Sequence, residues 1–472
     1  MNYSQKTYYN ISITIILIFI LYKSPFQHIS YHDEIINLWK GSTFHIFDYS
    51  LRPLSFLINS IAIRFLGNHP SSLIFLSLFS VLFSCLVMMK TVKLRNNSEM
   101  FFFTASMLGC TIIFTTGVAG MINTLLMGYV CLIMYLYQKI SRHSFAIGCV
   151  TGLGLGLHPT YIFAMPTLFL LFFIRNRKDK NEIFRYILGI VTAISIFEVT
   201  YLLFKDSSYL GLFFHANKKI SSIQKYEQPA SYYFEIALRN LAAPIIVIIY
   251  GKIRNRRLDI AASYENFVKT MGFILVLIFI TMVSWKFERV LLSFIPLGLI
   301  PLLELSMVEL KQFNRFEKSI SYLLFSCFVV LSAFNIHSHR KSLEKNKFKY
   351  TAPYNYVTSF DIKKVTQFIL ARPKLKENHS RERLNYYAKG FLYFPNATFI
   401  ETRVSDETKI QWPTTGNFSD AIIITNELVN RFKDLEGFRL INFKLFYRNR
   451  DVHVFINPRI QNHSSWGRDS SE

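Results

Sequence analysis

Long apolar segments recur along the first two thirds of the chain and end near residue 336. Eleven such segments follow one another between polar turns, with approximate bounds 8–22, 70–89, 100–115, 120–138, 144–157, 159–174, 184–204, 234–250, 264–284, 289–307 and 319–336. Apolar segments of about 20 residues can cross a bilayer, and they recur too often here to be buried helices of a soluble globule. The pattern therefore predicts a polytopic α-helical membrane protein with about eleven transmembrane helices in residues 1–336.

Residues 337–472 show a different pattern, in which short apolar segments alternate with polar turns. Ser359 can cap a helix that ends at about Arg372, because Pro373 stops it. The other predicted elements are strands at 390–394, 398–401 and 421–425, a short helix at 427–433, and a hairpin of 438–447 with 452–456. These elements predict a small soluble α/β domain, and its sequence shows no catalytic constellation.

The basic residues between the apolar segments predict the orientation of the chain in the membrane. They occur in alternate loops, in clusters within 90–95, 139–142, 175–180, 252–257 and 311–318. Because Lys and Arg are enriched in cytoplasmic loops, these loops and the N-terminus are predicted to be cytoplasmic. An odd number of spans then places residues 337–472 outside the cytoplasm, together with the long loop 23–69.

Composition supports this division of the chain into two parts. Of the 472 residues 18% are charged, which is below the roughly 25% of soluble domains. Of the first 336 residues 46 are charged, against 37 of the last 136. The net charge of +23 falls in part on the predicted cytoplasmic clusters, where it signals topology. It therefore does not indicate a nucleic-acid partner.

The first exported loop carries the residues best suited to chemistry. Asp33 and Glu34 follow the first apolar segment, and Arg52-Pro53-Leu54 begins an amphipathic stretch that ends at Leu66. A carboxylate just above the bilayer can deprotonate a hydroxyl from the aqueous side while the membrane presents a lipid-bound electrophile. Adjacent acids on a helix point about 100° apart, so one of the two would face the reaction. The structural alternative is that both acids cap a juxtamembrane helix.

Several motifs along residues 8–336 occur in the order found in the GT-C superfamily, which they resemble. These membrane glycosyltransferases include the protein O-mannosyltransferases and the aminoarabinose transferases of lipid A. The motifs are Asp33-Glu34, Arg52-Pro53-Leu54, the Leu-Gly-Asn-His-Pro of 66–70, the glycine-rich segment that ends in His158-Pro159, Gln228-Pro229-Ala-Ser-Tyr232-Tyr233, and Trp285-Lys286-Phe287-Glu288-Arg289 leading to Pro296. Each motif is short, and it is their common order and sidedness that carries the resemblance.

The chain also departs from the pattern of this superfamily. Arg52-Pro53-Leu54 stands where many members have His-Pro-Pro-Leu, and Asn123 lies in a turn where an acid is frequent. His158 replaces the lysine that ends the glycine-rich segment. These differences indicate a divergent branch, so neither the sugar nor the acceptor transfers by analogy.

The resemblance implies a role for each candidate residue. Asp33 would be the general base that takes the proton from an acceptor hydroxyl as it attacks the anomeric carbon of a polyprenyl-phosphate sugar, with inversion. Arg52 and Arg289 would stabilise the phosphate leaving group through charged hydrogen bonds, with Lys286 and His158 as helpers. Without the resemblance, interfacial snorkelling explains both arginines equally well. A structural turn explains His158 better than a ligand role does.

Four further residues have roles that stay open. Glu34 can orient the acceptor or help to hold a divalent cation, and the reaction as argued requires no other cofactor. Tyr232 and Tyr233 can stack on a sugar, although an aromatic belt at the membrane interface explains them better. Glu198 lies within a predicted span, where acids are costly and frequently functional, so it can pair with a basic residue of another span.

The predicted function is a hexosyl- or pentosyltransferase at the extracytoplasmic side of a bacterial cytoplasmic membrane. It would move a sugar from a polyprenyl-phosphate donor to a hydroxyl of a cell-envelope glycan, a lipid or a protein. The main alternative is a transporter or flippase of lipid-linked or small polar substrates, which predicts inverted repeats that the sequence does not show. A non-enzymatic scaffold is a second alternative, and it leaves residues 33–54 unexplained.

Overall fold

The computed structural model describes residues 3–22, 46, 51–67, 70–92, 94, 96–120, 122–139, 143–221, 228–255, 260–282 and 287–350, and five short segments beyond them, 367–373, 398–404, 421–426, 444–448 and 452–456. The first eleven ranges form a helical bundle. The five short segments are strands of one sheet.

The helices of the N-terminal half are α1 (Tyr3–Leu21), α2 (Pro53–Leu66), α3 (Pro70–Val92), α4 (Asn97–Gly109), α5 (Thr111–Thr115), α6 (Ile122–Lys139), α7 (Ser144–Leu157) and α8 (Met165–Asn176). Two 3₁₀ turns, Thr116–Val118 and Pro159–Phe163, follow α5 and α7. The predicted amphipathic stretch after Arg52 is confirmed as α2, and Gly67 ends it with a positive φ of 94°. Glycine adopts such a backbone conformation without steric cost.

The helices of the C-terminal half of the bundle are α9 (Lys180–Lys205), α10 (Tyr209–Ser221), α11 (Tyr232–Asn255), α12 (Ile260–Thr281), α13 (Glu288–Leu292), α14 (Ile295–Gln312) and α15 (Arg315–Tyr350). Helical structure therefore covers each of the eleven predicted apolar segments.

Among the described helices, four are individually long and apolar enough to cross a membrane, namely α3, α9, α11 and α15. A fifth span forms if α4, α5 and the turn after α5 are counted as one broken element, which bends by 68°. Five others are apolar but shorter, among them α1, α6 and α7. The number of about eleven spans therefore stays a prediction, although the apolar segments themselves are helical.

Helices α7 and α9 approach each other closely because glycines face the contact. A Cβ atom on Gly152 would lie 2.7 Å from the Cβ of Ala193, and one on Gly148 would collide with the backbone carbonyl of Tyr186. From the other side, a Cβ on Gly189 would collide with the carbonyl oxygen of Phe145. Small residues bring helix backbones together in membrane proteins, where packing takes over from the hydrophobic effect. The glycines thus let α7 pack directly against α9.

The break between α4 and α5 is held by polar side chains from two other helices. Asn240 of α11 accepts hydrogen bonds from the backbone N–H of Ile112 (2.9 Å) and the hydroxyl of Thr111 (3.2 Å). The fully buried Arg340 of α15 donates two hydrogen bonds to the carbonyl oxygen of Phe114, from Nη2 (2.7 Å) and from Nε (3.2 Å). These bonds satisfy backbone groups that the break leaves without helical partners.

The strands β1 (Gln367–Pro373), β2 (Thr398–Val404), β3 (Ala421–Asn426), β4 (Lys444–Arg448) and β5 (Val452–Ile456) form a mixed sheet in the order β2-β1-β3-β5-β4. β1 pairs in parallel with both β2 and β3, while β5 pairs antiparallel with β3 and β4. The predicted strands at 398–401 and 421–425 are confirmed as β2 and β3. The predicted hairpin is confirmed from residue 444 onward as β4 and β5, while residues 438–443 lie outside the described residues.

The predicted helix from Ser359 to Arg372 is wrong over residues 367–372, which belong to strand β1, while residues 359–366 lie outside the described residues. Pairing with a strand on each side stabilises the extended backbone there, and such tertiary pairing overrides local helix signals. The predicted strand at 390–394 and the predicted helix at 427–433 lie outside the described residues. A domain of α/β type over 337–472 therefore stays a prediction.

The close contact of α7 and α9 predicts that Gly148→Ala destabilises the protein. The new methyl group must displace the backbone of α9, and overpacking of this kind costs about 1–3 kcal/mol. Gly109→Ala is the matched control, because a Cβ there meets no atom within 4 Å. Thermal unfolding of the purified protein measures the difference, and equal melting temperatures for the two variants would contradict the packing.

Candidate functional site

The backbone in front of Arg52 is fixed in an unusual conformation. Leu51 is buried and has a positive φ of 59°, which is uncommon for a residue with a side chain. Leu51 packs in a small apolar cluster with Phe197, Tyr201 and Tyr209. Pro53 follows Arg52 as the first residue of α2. Arg52 is thus held between a buried anchor and a rigid helix start.

Two hydroxyl groups join this segment to the C-terminal end of α7. Ser55 donates to the carbonyl oxygen of Leu157 (2.6 Å), and Tyr209 of α10 donates to the carbonyl oxygen of Leu155 (3.0 Å). The last carbonyl groups of a helix have no helical partner, so external donors stabilise them. These bonds place α2 and α10 against the turn that carries His158.

His158 is buried in the turn between α7 and the following 3₁₀ turn, with 7% of its surface exposed. Its Nδ1 accepts the backbone N–H of Thr160 (3.2 Å) and lies 2.7 Å from the Thr160 hydroxyl. Because Nδ1 acts as an acceptor, the neutral imidazole carries its proton on Nε2. Burial lowers the pKa of His158 well below its ordinary value, and the positive charges of Arg52 and Arg289 lower it further.

Because the charges of Arg52 and Arg289 both act on His158, both guanidinium groups lie near enough to influence this imidazole. Arg52 comes from the start of α2, and Arg289 comes from α13, more than 200 positions later in the chain. The structure therefore brings together three of the residues that the sequence nominates. Two guanidinium groups beside a neutral imidazole with an N–H donor make a local environment that suits a phosphate or another anion.

The segment in front of Arg289 is positioned by Tyr233. Tyr233 is fully buried, and its hydroxyl accepts the backbone N–H of Phe287 (3.0 Å). The guanidinium carbon of Arg289 lies 4.6 Å from the centre of the Phe287 ring, in a cation–π contact. Tyr233 thus contacts the segment that leads to Arg289. Its neighbour Tyr232 is half-buried, with its ring centre 5.3 Å from that of Tyr233.

Two polar pairs that the sequence does not reveal hold α13 in place. Glu288 forms an ion pair of 3.2 Å with Arg239 of α11, close to Tyr232. Asn123 of α6 donates from Nδ2 to the hydroxyl of Ser293 (3.2 Å), which follows α13. Asn123 therefore helps to position the segment that carries Arg289.

Glu198 has a structural partner near the same end of the bundle. Its Oε2 accepts a hydrogen bond from the backbone N–H of Leu210 (3.0 Å) in the first turn of α10. Next to it, the hydroxyl of Ser208 accepts a hydrogen bond from the backbone N–H of Gly211 (2.9 Å). A carboxylate at a helix N-terminus is stabilised by the partial positive charge there. The acid thus caps α10, an arrangement that sequence reasoning did not anticipate.

Three of the predicted site residues, Asp33, Glu34 and Lys286, lie outside the described residues, so their place relative to His158 stays a prediction. Within the described ranges no group of three or more His, Cys, Asp and Glu side chains is arranged to hold a metal ion. The predicted divalent cation near Asp33 and Glu34 is therefore untested.

The fold is similar to that of two solved structures of one membrane protein, ArnT. The crystal structure of ArnT from Cupriavidus metallidurans in the apo state matches with a TM-score of 0.62 and 10% identity, covering 96% of this chain and 98% of ArnT. The crystal structure of ArnT from the same organism bound to undecaprenyl phosphate matches with a TM-score of 0.58 and 9% identity, with the same coverage. At such low identity the similarity is one of fold. With the long apolar helices, it defines a multi-pass membrane protein.

No protein-family model matches the sequence, and no curated protein matches it.

The lowered pKa of His158 predicts an acid-sensitive stability. An unfolded chain binds a proton at His158 near pH 6.5, whereas the folded chain does not, so the free energy of unfolding falls as the pH drops below about 6.5. His158→Asn keeps an acceptor near Thr160 and removes the titration, so it should flatten the decline in melting temperature between pH 7 and pH 5. His143→Gln, at an exposed position before α7, is the matched control. A decline unchanged in His158→Asn would refute the assignment.

Proposed function

We propose that this protein is a membrane glycosyltransferase that moves a sugar from a polyprenyl-phosphate donor to a hydroxyl acceptor. The observation that carries the proposal is that Arg52 and Arg289, from distant parts of the chain, both place positive charge near the buried His158. The fold adds support, because a protein of the same fold, ArnT, has been crystallised with undecaprenyl phosphate. The donor phosphate would occupy the site formed by the two arginines.

The proposed chemistry is a single displacement. Asp33 takes the proton of the acceptor hydroxyl, whose oxygen forms a bond to the anomeric carbon as the bond from that carbon to the phosphate oxygen breaks. The phosphate departs with the bonding electrons, and the anomeric configuration inverts. Arg52 and Arg289 stabilise the developing negative charge, and Nε2–H of His158 can donate a further hydrogen bond. Lys286 adds a positive charge beside this group, and Glu34 orients the acceptor.

A phosphate is a good leaving group once its charge is stabilised. Glycosidases need a second carboxylic acid to protonate their leaving group, and a phosphate donor removes that need. One carboxylate together with a cationic site is therefore a sufficient set of residues, in agreement with the residues nominated here.

We further propose that the reaction takes place at the extracytoplasmic side of the membrane. The basic loop 311–318 lies at the end of the bundle opposite Arg289, since the 18-residue helix α14 separates them, and Asn96, which follows the basic loop 90–95, lines a cavity with Lys311. By the positive-inside rule these loops are cytoplasmic. Loop 23–69 and residues 337–472 then share the extracytoplasmic side with the site, where a glycan, a lipid or a protein can serve as acceptor.

Donor binding is predicted to depend on both arginines. Arg52→Gln and Arg289→Gln should each weaken the binding of undecaprenyl phosphate by about 10- to 100-fold, because a hydrogen bond to a charged group contributes about 1.5–3 kcal/mol. Titration of the purified protein with undecaprenyl phosphate measures the affinity. Arg64→Gln, exposed near the end of α2, is the matched control for a loss of positive charge. Equal affinities for the three variants would argue against a phosphate site at His158.

The role of Asp33 is tested by transfer in reconstituted membranes. With a panel of polyprenyl-phosphate sugars and acceptors, Asp33→Asn should lower turnover by about 10²–10⁴-fold and leave donor affinity intact, as expected for removal of a general base. Glu34→Gln, the adjacent acid, should be less affected. Near-normal turnover of Asp33→Asn would reject the assignment. Movement of intact donor across the bilayer without sugar transfer would favour the transporter alternative.

A further inference from the structure

A second candidate site lies at the other end of the bundle from His158. There α4 begins, α14 ends and α15 begins, and a cavity of about 70 Å³ opens between the three helix ends. Its polar rim contains Asn96, Ser98, Lys311 and Lys318. We call this space the α4–α15 cavity.

The rim of the α4–α15 cavity carries a net positive charge. Lys311 forms an ion pair of 3.4 Å with the buried Glu99, which also lines the cavity. Lys318 is half-buried and adds a second positive charge. The hydroxyl of Tyr322 donates to the hydroxyl of Ser98, so the rim is also ordered by a bond between α15 and α4. Such a rim suits one anionic group.

The floor of the α4–α15 cavity is apolar. Phe102 of α4 and Phe325 of α15 are buried, and their ring centres lie 4.7 Å apart. Met307 of α14 lies beside them and also lines the cavity. The cavity is therefore cationic towards the helix ends and apolar towards the middle of the bundle. An amphipathic ligand whose anionic head lies at the helix ends matches this order.

The position of the α4–α15 cavity separates it from the donor site. Helix α14 has 18 residues and is therefore about 27 Å long, with Arg289 just before its start and Lys311 near its end. This length is close to the thickness of the hydrocarbon core of a bilayer, about 30 Å. The cavity thus lies at the opposite membrane surface, on the side where the basic loops are predicted to face the cytoplasm.

We propose that the α4–α15 cavity binds the phosphate of an anionic phospholipid from the cytoplasmic leaflet. Lys311 and Lys318 contact the phosphate, which lies over the apolar floor of the cavity, and the acyl chains stay in the bilayer outside the cavity. The cytoplasmic leaflet is the one that carries a negative surface potential. The cavity volume of about 70 Å³ leaves space for a small polar group such as a phosphate.

Thermal unfolding of the full-length protein in mixed micelles tests the proposal. Phosphatidylglycerol should raise the melting temperature more than phosphatidylcholine does, because a ligand of the folded state stabilises it. Lys318→Gln should need about fivefold more phosphatidylglycerol for the same shift, as expected for one lysine at an anionic surface. Lys318→Arg, which keeps the charge, should behave as the unaltered protein does.

Lys178→Gln is the matched control, because it removes one exposed lysine from another predicted cytoplasmic turn. It should keep the response to phosphatidylglycerol. Three results would overturn the proposal: equal stabilisation by the two lipids, an equal loss in Lys178→Gln and Lys318→Gln, or the same shift with inorganic phosphate alone. None of these measurements depends on glycosyl transfer, so they test the lipid site independently of the proposed function.

Discussion

The close approach of α7 to α9 is the contact on which the candidate site depends. It is possible because Gly148, Gly152 and Gly189 leave no side chain between the two backbones. Once α7 is fixed, its last carbonyl groups are fixed too, and these receive the hydroxyls of Ser55 and Tyr209. Those two bonds locate the start of α2 beside the turn that follows α7. The positions of Arg52 and His158 therefore follow from backbone packing that contains no charged group.

The apolar segments could be predicted from sequence because length and hydropathy are local properties. Their breaks were harder to predict, since the bend after Gly109 depends on Asn240 and Arg340, which come from distant helices. The same holds for Glu198, whose partner is a backbone N–H twelve residues later and not a basic residue of another span. The motif order led correctly to the fold, because it depends on spacing along the chain. The left-handed backbone of Leu51 had no sequence signal at all.

In the candidate site, too, some residues could be predicted from local motifs, whereas others depend on contacts between distant helices. Arg52 and Arg289 were nominated from two motifs far apart in the chain, and the structure places both near His158. The residues around them, among them Asn123, Tyr209 and Ser293, act through hydrogen bonds to residues distant in the sequence. Nothing in their sequence neighbourhood distinguishes them from ordinary polar residues of a membrane bundle. In the C-terminal part, β1 likewise takes its conformation from its two neighbours in the sheet.

The neutral state of His158 has a consequence for how ligand binding and protonation are linked. Burial keeps the imidazole uncharged and two guanidinium charges add to this effect, so an anion bound near them would cancel part of their field. The imidazole would then hold a proton more readily in the complex than in the free protein. Arrival of a phosphate and uptake of a proton thus favour each other, so the affinity for an anionic ligand rises as the solution becomes more acidic. Under the proposed function, a side chain that sequence alone assigns to a turn would couple the occupancy of this site to the proton concentration of the solution.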